Sequence, residues 1–571
     1  MKNVTKQINK LLLSKIAPRT KFHFVTLFIV ALLLIGNTIW VRESDVFGIP
    51  FIFAMAFLVE FLLIIFVIHE VLQVLRTPLK ILKSLIISSW HGVKQNHYYI
   101  SAKNKNPAFF IWLNNRFSKR IPTGLKLTMF IAIALLFLFL FLGIAEDVIF
   151  KNQIVGIDHR ILNLLPSIRT TEQNLFFSFV TFLGNWQSIV LAVILTILLL
   201  LRKKQIFSGI LFCSTVLFTE GLAFILKIGI GRSRPEQVFS LINADSFSFP
   251  SGHAILATVT YGFITYLLIK SFRHSLSKIL IFLGYIFSVT LIALSRIYLG
   301  VHYLSDVLAS ITLGFFILSI SIGFAEINHR YRIFEQNKKV KFRILFLVPI
   351  FVTVFSLTSN SYFIKLKEPQ VKAQKLTVIG IDEAAKKSPQ YSETLTGAHM
   401  EPINFIYVGD EKSIENLFAE HGWYKADAPT FSNILKTFSV IFKNDQYLNA
   451  PVTPSYFDSK PHDISFQLPT DHNTLRERHH TRLWKTDYVS EDGRNIWVAT
   501  ASLDTGVELT PYYLPTHHID PNIDAERDFI VKSLGLSNPK YIQEVAPQIG
   551  KNGAGDEFFT DGKAVIIDLT K

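Results

Sequence analysis

Long apolar runs separated by short basic turns fill the first 360 residues, and the pattern changes beyond them. Runs long enough to cross a bilayer predict helices near 24–41, 51–75, 127–145, 176–201, 206–226, 254–270, 279–295 and 304–325, with a shorter ninth near 344–357. Later segments are short and mixed. Residues 404–409 and 496–502 read as strands, 524–535 reads as a helix, and 413–422 reads as a helix with Ser413 as its N-cap and Gly422 as its stop. The expected fold is a polytopic all-α membrane protein of about nine transmembrane helices followed by a soluble α+β domain. The expected divisions are 1–122 (two helices and a basic cytoplasmic segment), 123–330 (a six-helix core), 331–365 (a basic turn and the last helix) and 366–571.

Composition supports this reading. Half of the 571 residues are hydrophobic, and the mean hydropathy of +0.35 is too high for a soluble chain of this length. The net charge of +15 would suit nucleic acid, but the basic residues cluster beside the apolar runs, as membrane topology demands. No nucleic-acid partner is expected. Residues 1–22 are basic, and residues 76–126 carry ten Lys and Arg with no Asp or Glu, so both are assigned to the cytoplasm. The first apolar run has no convincing cleavage site and reads as an anchor rather than a signal peptide. Lys203 and Lys204, Arg273 and Lys278, and the basic residues from Arg330 to Arg343 mark further inner turns, whereas Glu146, Asp147 and Asp158 mark an outer loop. Nine spans from an inner N-terminus leave the C-terminal domain outside; a re-entrant ninth would leave it in the cytoplasm. Cys213 is the single cysteine and lies within a span, which excludes an intramolecular disulfide.

Three polar islands interrupt the apolar pattern. They are Lys227 to Pro235, which includes Arg234; Pro250-Ser251-Gly252-His253; and Ser295-Arg296 followed by His302 and Asp306. Two spans separate the second from the third, so all three meet at one membrane face. Lys227, Arg234 and Arg296 supply fixed cations for a phosphate, and arginine donates two parallel hydrogen bonds to its oxygens. Ser251 precedes a helix, where the amides of Gly252 and His253 point at an anion. His302 and Asp306 are four apart and share a helix face, so the carboxylate can hold one ring nitrogen and leave the other free to attack phosphorus. His253 can protonate the departing oxygen.

These islands resemble the three signature motifs of the type 2 phosphatidic acid phosphatase family, Lys-x6-Arg-Pro, Pro-Ser-Gly-His and Ser-Arg-x5-His-x3-Asp, over about residues 123–330. The resemblance implies a six-helix lipid phosphatase core in which His302 becomes phosphohistidine, Asp306 orients it and His253 is the general acid. It assigns Lys227, Arg234, Ser251, Gly252 and Arg296 to phosphate binding. The C-terminal residues also resemble the LssY C-terminal domain through Glu401 to Gly409, His421-Gly-Trp423, Arg478 to Trp484, Ile496 to Asp504 and Thr516 to Arg527. Its histidine pairs could bind a metal with Asp520 or Glu526, but they lack tight ligand spacing, and the structural or surface reading is favoured. No metal and no cofactor is expected.

The expected protein hydrolyses a lipid phosphate or polyprenyl diphosphate, such as undecaprenyl diphosphate, phosphatidic acid or phosphatidylglycerol phosphate, at the periplasmic face of a bacterial cytoplasmic membrane. Rival readings are a lipid A phosphatase or phosphotransferase, an anion transporter, and a membrane scaffold for the C-terminal domain. A transporter calls for ionisable residues within several spans, and Glu60 is the one expected there.

Overall fold

The computed structural model describes residues 81–118 apart from 83 and 86, then 121, 123–327, 345–363, 365–367, 376–443, 445–475, 477–509 and 515–569. The expected spans at 24–41 and 51–75, Glu60, and the basic turn before residue 345 lie outside these residues.

The described residues begin in helix at 81–95, and two short helices follow, α1 (His97–Lys105) and α2 (Pro107–Arg116), with Phe109 and Trp112 exposed beside the basic side chains. The bundle follows: α3 (Leu125–Phe150), α4 (Gln153–Ile168), α5 (Thr171–Leu183), α6 (Trp186–Arg202), α7 (Ile206–Ile230), α8 (Gly252–Ser271), α9 (Ser275–Tyr298), α10 (Leu304–Ile327) and α11 (Leu347–Phe363). Among the described residues, α3, α7, α8, α9 and α10 are long and apolar enough to cross a membrane, and α5 with α6 makes a sixth candidate bent by 42°. Among the described residues the count of nine is therefore not confirmed: the run at 176–201 is broken, and the expected ninth span is a helix of only 17 residues. The break falls at Gly184 and Asn185, where a Cβ on residue 184 would lie 2.6 Å from Ile292 and 3.4 Å from the Cβ of His253.

Packing explains the arrangement. α8 and α10 form the centre and are the most buried of the long helices, while α3 and α7 expose leucine, isoleucine and phenylalanine outward. At one end Glu326 accepts from Lys126 at 3.2 Å and from Tyr266 at 2.9 Å, and it also pairs with Lys270. The motif residues occupy the opposite end. Two expectations fail here. Glu146, Asp147 and Asp158 are not in an outer loop: the first two belong to α3, and Asp158 is buried on α4. Helix α4 carries apolar residues at 154, 157, 161, 164 and 165, the spacing of an amphipathic helix. Glu60 also has a counterpart, because Glu220 sits within α7 with its side chain exposed.

The C-terminal region is β-rich. Its larger sheet runs β12 (Lys540–Gln543), β15 (Lys563–Asp568), β4 (Phe405–Val408), β10 (Asn495–Leu509), β9 (Glu477–Val489), β8 (Ile464–Thr474) and β5 (Tyr424–Lys425), with β1 (Thr377–Val378) on β9, β11 (Pro515–Ile519) on β10, and a separate hairpin of β13 (Gln548–Lys551) and β14 (Glu557–Thr560). A smaller sheet runs β3 (His399–Pro402), β2 (Tyr391–Glu393), β6 (Tyr456–Phe457) and β7 (Lys460–Pro461). Alternation sorts the large sheet's faces. Phe405, Phe466, Leu483, Trp497 and Ala499 pack under the helices Glu411–Glu420 and Ile523–Ser533. The other face carries Arg478, His480, Arg482, Thr500, Ser502 and Asp504, all buried. The helix expected at 413–422 starts earlier, because Asp410 rather than Ser413 is the N-cap and accepts from the Ser413 amide at 2.7 Å.

Candidate active site

Each island is held by an identifiable device. Helix α7 closes at Gly231, whose amide bonds to the Lys227 carbonyl, so Lys227 sits one turn from the end and the chain turns out to Arg232 and Arg234. Between α9 and α10 the chain turns at Gly300, with φ of +69° and with the Phe239 carbonyl where a Cβ would stand. That turn delivers His302 just ahead of Asp306 in the first turn of α10.

The structure brings the sequence-predicted residues together. His302 Nδ1 lies 3.4 Å from Asp306 Oδ2, and its Nε2 lies 3.3 Å from Arg234. With the carboxylate accepting from Nδ1–H, the lone pair belongs to Nε2. Burial pushes the His302 imidazole down to about 3, more than Asp306 raises it. Arg234 also donates to the Val301 carbonyl at 2.7 Å and to Ser246 Oγ at 2.9 Å. Lys227 donates to the Phe247 carbonyl at 2.7 Å and to Ser246 Oγ at 3.3 Å. These two cations line a pocket of about 600 Å³ with Phe224, Ile228, Asp245 and Phe247. Arg296 is buried and donates to Thr181 Oγ1 at 2.7 Å, while its Nε has no hydrogen-bond partner. His253, beside Gly184, lies in the electrostatic field of Arg296, His302, Arg234 and Lys227.

Ser251 departs from expectation. It stands at the N-cap position, but its hydroxyl does not cap α8. The hydroxyl is buried with no hydrogen-bond partner, while the amide donates to Ser310 Oγ at 2.7 Å. A Cβ on Gly252 would meet nothing within 4 Å. A helix N-terminus, two unpartnered polar atoms and open space next to Gly252 make a fitting place for an anion.

Sequence reasoning missed a second layer. Asp306 also accepts from Arg232 at 2.6 Å, from the Tyr303 amide at 2.9 Å and from the Ser248 hydroxyl. Arg232 reaches Asp158 Oδ2 at 2.7 Å. The available signal was a second arginine two residues before Arg234 and an acid on an amphipathic segment. Among the described residues no group of three or more His, Cys, Asp or Glu side chains gathers for a metal. In the C-terminal region His479 pairs with Glu526, His480 with Asp504 and His518 with Asp556. A further cavity of about 570 Å³, between α8, α9 and residues 346–353, has mostly apolar lining and holds none of the motif residues.

The site is thus a histidine–aspartate dyad with a cationic cradle at one end of an apolar helix bundle. Residues 208–330 match the model of the PAP2 superfamily, and residues 385–564 match that of the LssY C-terminus, as the motif resemblances implied. Phosphatidylglycerophosphatase B of Bacillus subtilis (strain 168) is 38% identical over 110 residues, 19% of this chain and 53% of that protein. The chain therefore spans about half the length of this curated relative. A crystal structure described as the first transmembrane PAP2 type phosphatidylglycerolphosphate phosphatase from Bacillus subtilis is 29% identical. The match covers 36% of this chain and 98% of that one, with a TM-score of 0.31.

Proposed function

We propose that this protein is an integral membrane phosphatase acting on lipid phosphates through a phosphohistidine. The observation that carries the reading is His302, with Nδ1 toward Asp306 and Nε2 beside Arg234 at a cradle of cations. Nε2 attacks phosphorus, the bond from phosphorus to the lipid oxygen breaks, and that oxygen takes a proton from His253. Water then attacks the phosphohistidine, gives a proton to His253 and releases inorganic phosphate and free His302. Lys227, Arg234 and Arg296, the Ser251 hydroxyl and the Gly252 amide hold the phosphoryl oxygens as charge spreads over them.

The substrate class follows from the surroundings. Phe224 and Ile228 are apolar positions on α7 beside Lys227 in the same pocket, which suits a phosphate carried at the bilayer surface. The phosphatidylglycerophosphatase similarity makes phosphatidylglycerol phosphate the first substrate to try, ahead of phosphatidic acid and undecaprenyl diphosphate. The bacterial inner membrane, with the site on the periplasmic side, is the proposed location. Purified full-length protein should release phosphate from one of these lipids and form an acid-labile phosphoenzyme that His302→Ala abolishes. Failure to release phosphate from every lipid in the panel would overturn the reading.

A further inference from the structure

Helix α4 touches both the start of α10, beside the dyad, and the C-terminal region. Its inner face carries Asp158, almost fully buried. The Asp158 carboxylate accepts from the Ser305 amide at 2.9 Å, from the Ser305 hydroxyl at 2.5 Å and from Arg232 at 2.7 Å. Arg232 donates at the same time to Asp306 at 2.6 Å, and its guanidinium lies 4.2 Å from the Tyr303 ring centroid. One arginine therefore bridges the carboxylate of α4 and the carboxylate that holds His302. Both Tyr303 and Ser305, which flank the start of α10, give their amide protons to these two acids.

Two residues on, about 200° around the helix, Arg160 points the other way. It donates to Glu393 of β2 at 2.5 Å and 3.2 Å. Asn163 donates to the Ser459 carbonyl at 2.8 Å, and Gln153 to the Thr396 carbonyl at 3.3 Å. Gly397 has φ of +87°, and a Cβ there would lie 2.9 to 3.1 Å from the Arg160 guanidinium. The turn between β2 and β3 thus uses glycine both for its backbone and to admit Arg160.

We propose that the C-terminal region is the outer support of the catalytic dyad: its small sheet grips α4, and α4, through Asp158 and Arg232, sets the position of Asp306 and the start of α10. Arg160 and Glu393 are positioning residues that touch no reacting atom. The activity arm rests on the phosphatase reading, whereas the arm that reads amide protons does not.

The test uses full-length protein in lipid nanodiscs, with Glu393→Gln, Arg160→Gln and the pair together. Asn163→Ala serves as a milder second probe of the same grip. The expected result is a kcat lower by about 10-fold with KM within about 2-fold, since small misplacements remote from the chemistry lower rate rather than binding. The pair should be no worse than either single change, because both remove one contact. Deuterium uptake at residues 299–310, which include the Tyr303 and Ser305 amides, should rise several-fold in each variant. Charge exchange, Arg160→Glu with Glu393→Arg, should restore kcat and protection in part. Unchanged uptake and kcat in Glu393→Gln and Asn163→Ala would overturn the proposal. So would a raised KM at constant kcat, which would make the C-terminal region a substrate-binding element. Raised uptake in a protein that hydrolyses no lipid phosphate, parent included, would uphold the support and sink the phosphatase reading.

Discussion

His302 with Asp306 in the helix bundle, and His480 with Asp504 in the large sheet, are both buried histidine–aspartate pairs, 3.4 Å and 3.2 Å apart. Their far nitrogens differ. His302 Nε2 meets Arg234, which also lines a pocket beside Lys227. His480 Nε2 meets Ser502 Oγ at 3.1 Å, and Asp504 is engaged by Arg478, which in turn reaches Gln467. The first pair ends in cations beside space; the second is closed by hydroxyl, amide and guanidinium on a sheet face. A dyad becomes a reaction centre through what surrounds the ring nitrogen its carboxylate leaves alone.

The largest test of this contrast exchanges each histidine. His302→Ala should cut kcat/KM for the best lipid phosphate by about 10⁴ or more, the scale for loss of an activated nucleophile. His480→Ala should leave it within about 3-fold. Loss of hydrolysis in His480→Ala would break the comparison. The aspartates come next. Asp306→Asn should lower kcat by about 10² to 10⁴ through a misplaced or wrongly protonated ring. Asp504→Asn should spare kcat but cost about 2–4 kcal/mol of stability by stranding Arg478 and His480, read from the denaturant midpoint by tryptophan fluorescence.

A pH series sharpens the contrast further. Burial chiefly pushes His480 down to about 4 and His462 to about 3, against 6.5 for an unhindered imidazole. Below 6.5 the unfolded chain binds protons that the folded chain refuses, so this stability is whole above 6.5 and is lost as pH falls through 4 and 3. In His480→Gln the drop in denaturation midpoint between pH 7.5 and 4.5 should shrink; an unchanged drop would remove His480 from the account. The smallest effect belongs to Ser502→Ala, which opens the closed end of the second pair. It should cost about 1 kcal/mol and leave hydrolysis unchanged.

The contrast also marks how much the sequence could tell. Lys227, Arg234, Ser251, Gly252, His253, Arg296, His302 and Asp306 stood out because polar residues in apolar runs are few and their spacing is fixed by helix geometry. Asp158 and Arg232 did not, because their meaning is a distance across elements more than 70 residues apart. The bent pair α5 and α6 read as one span because hydropathy counts apolar side chains and cannot see a backbone break at Gly184. Strands β4 and β10 were legible by alternation, yet the polar face of β9 was not, since Arg478, His480 and Arg482 look like a solvated strand until a second sheet covers them.

That break at Gly184 links two histories. The space a methyl group would fill at residue 184 is already taken by Ile292 and the ring of His253. The bend of a helix and the seat of the proposed proton donor therefore compete for one small volume. In related chains, a larger residue at 184 should appear only beside a smaller one at 292 or a displaced histidine, so the three positions should drift together across an alignment.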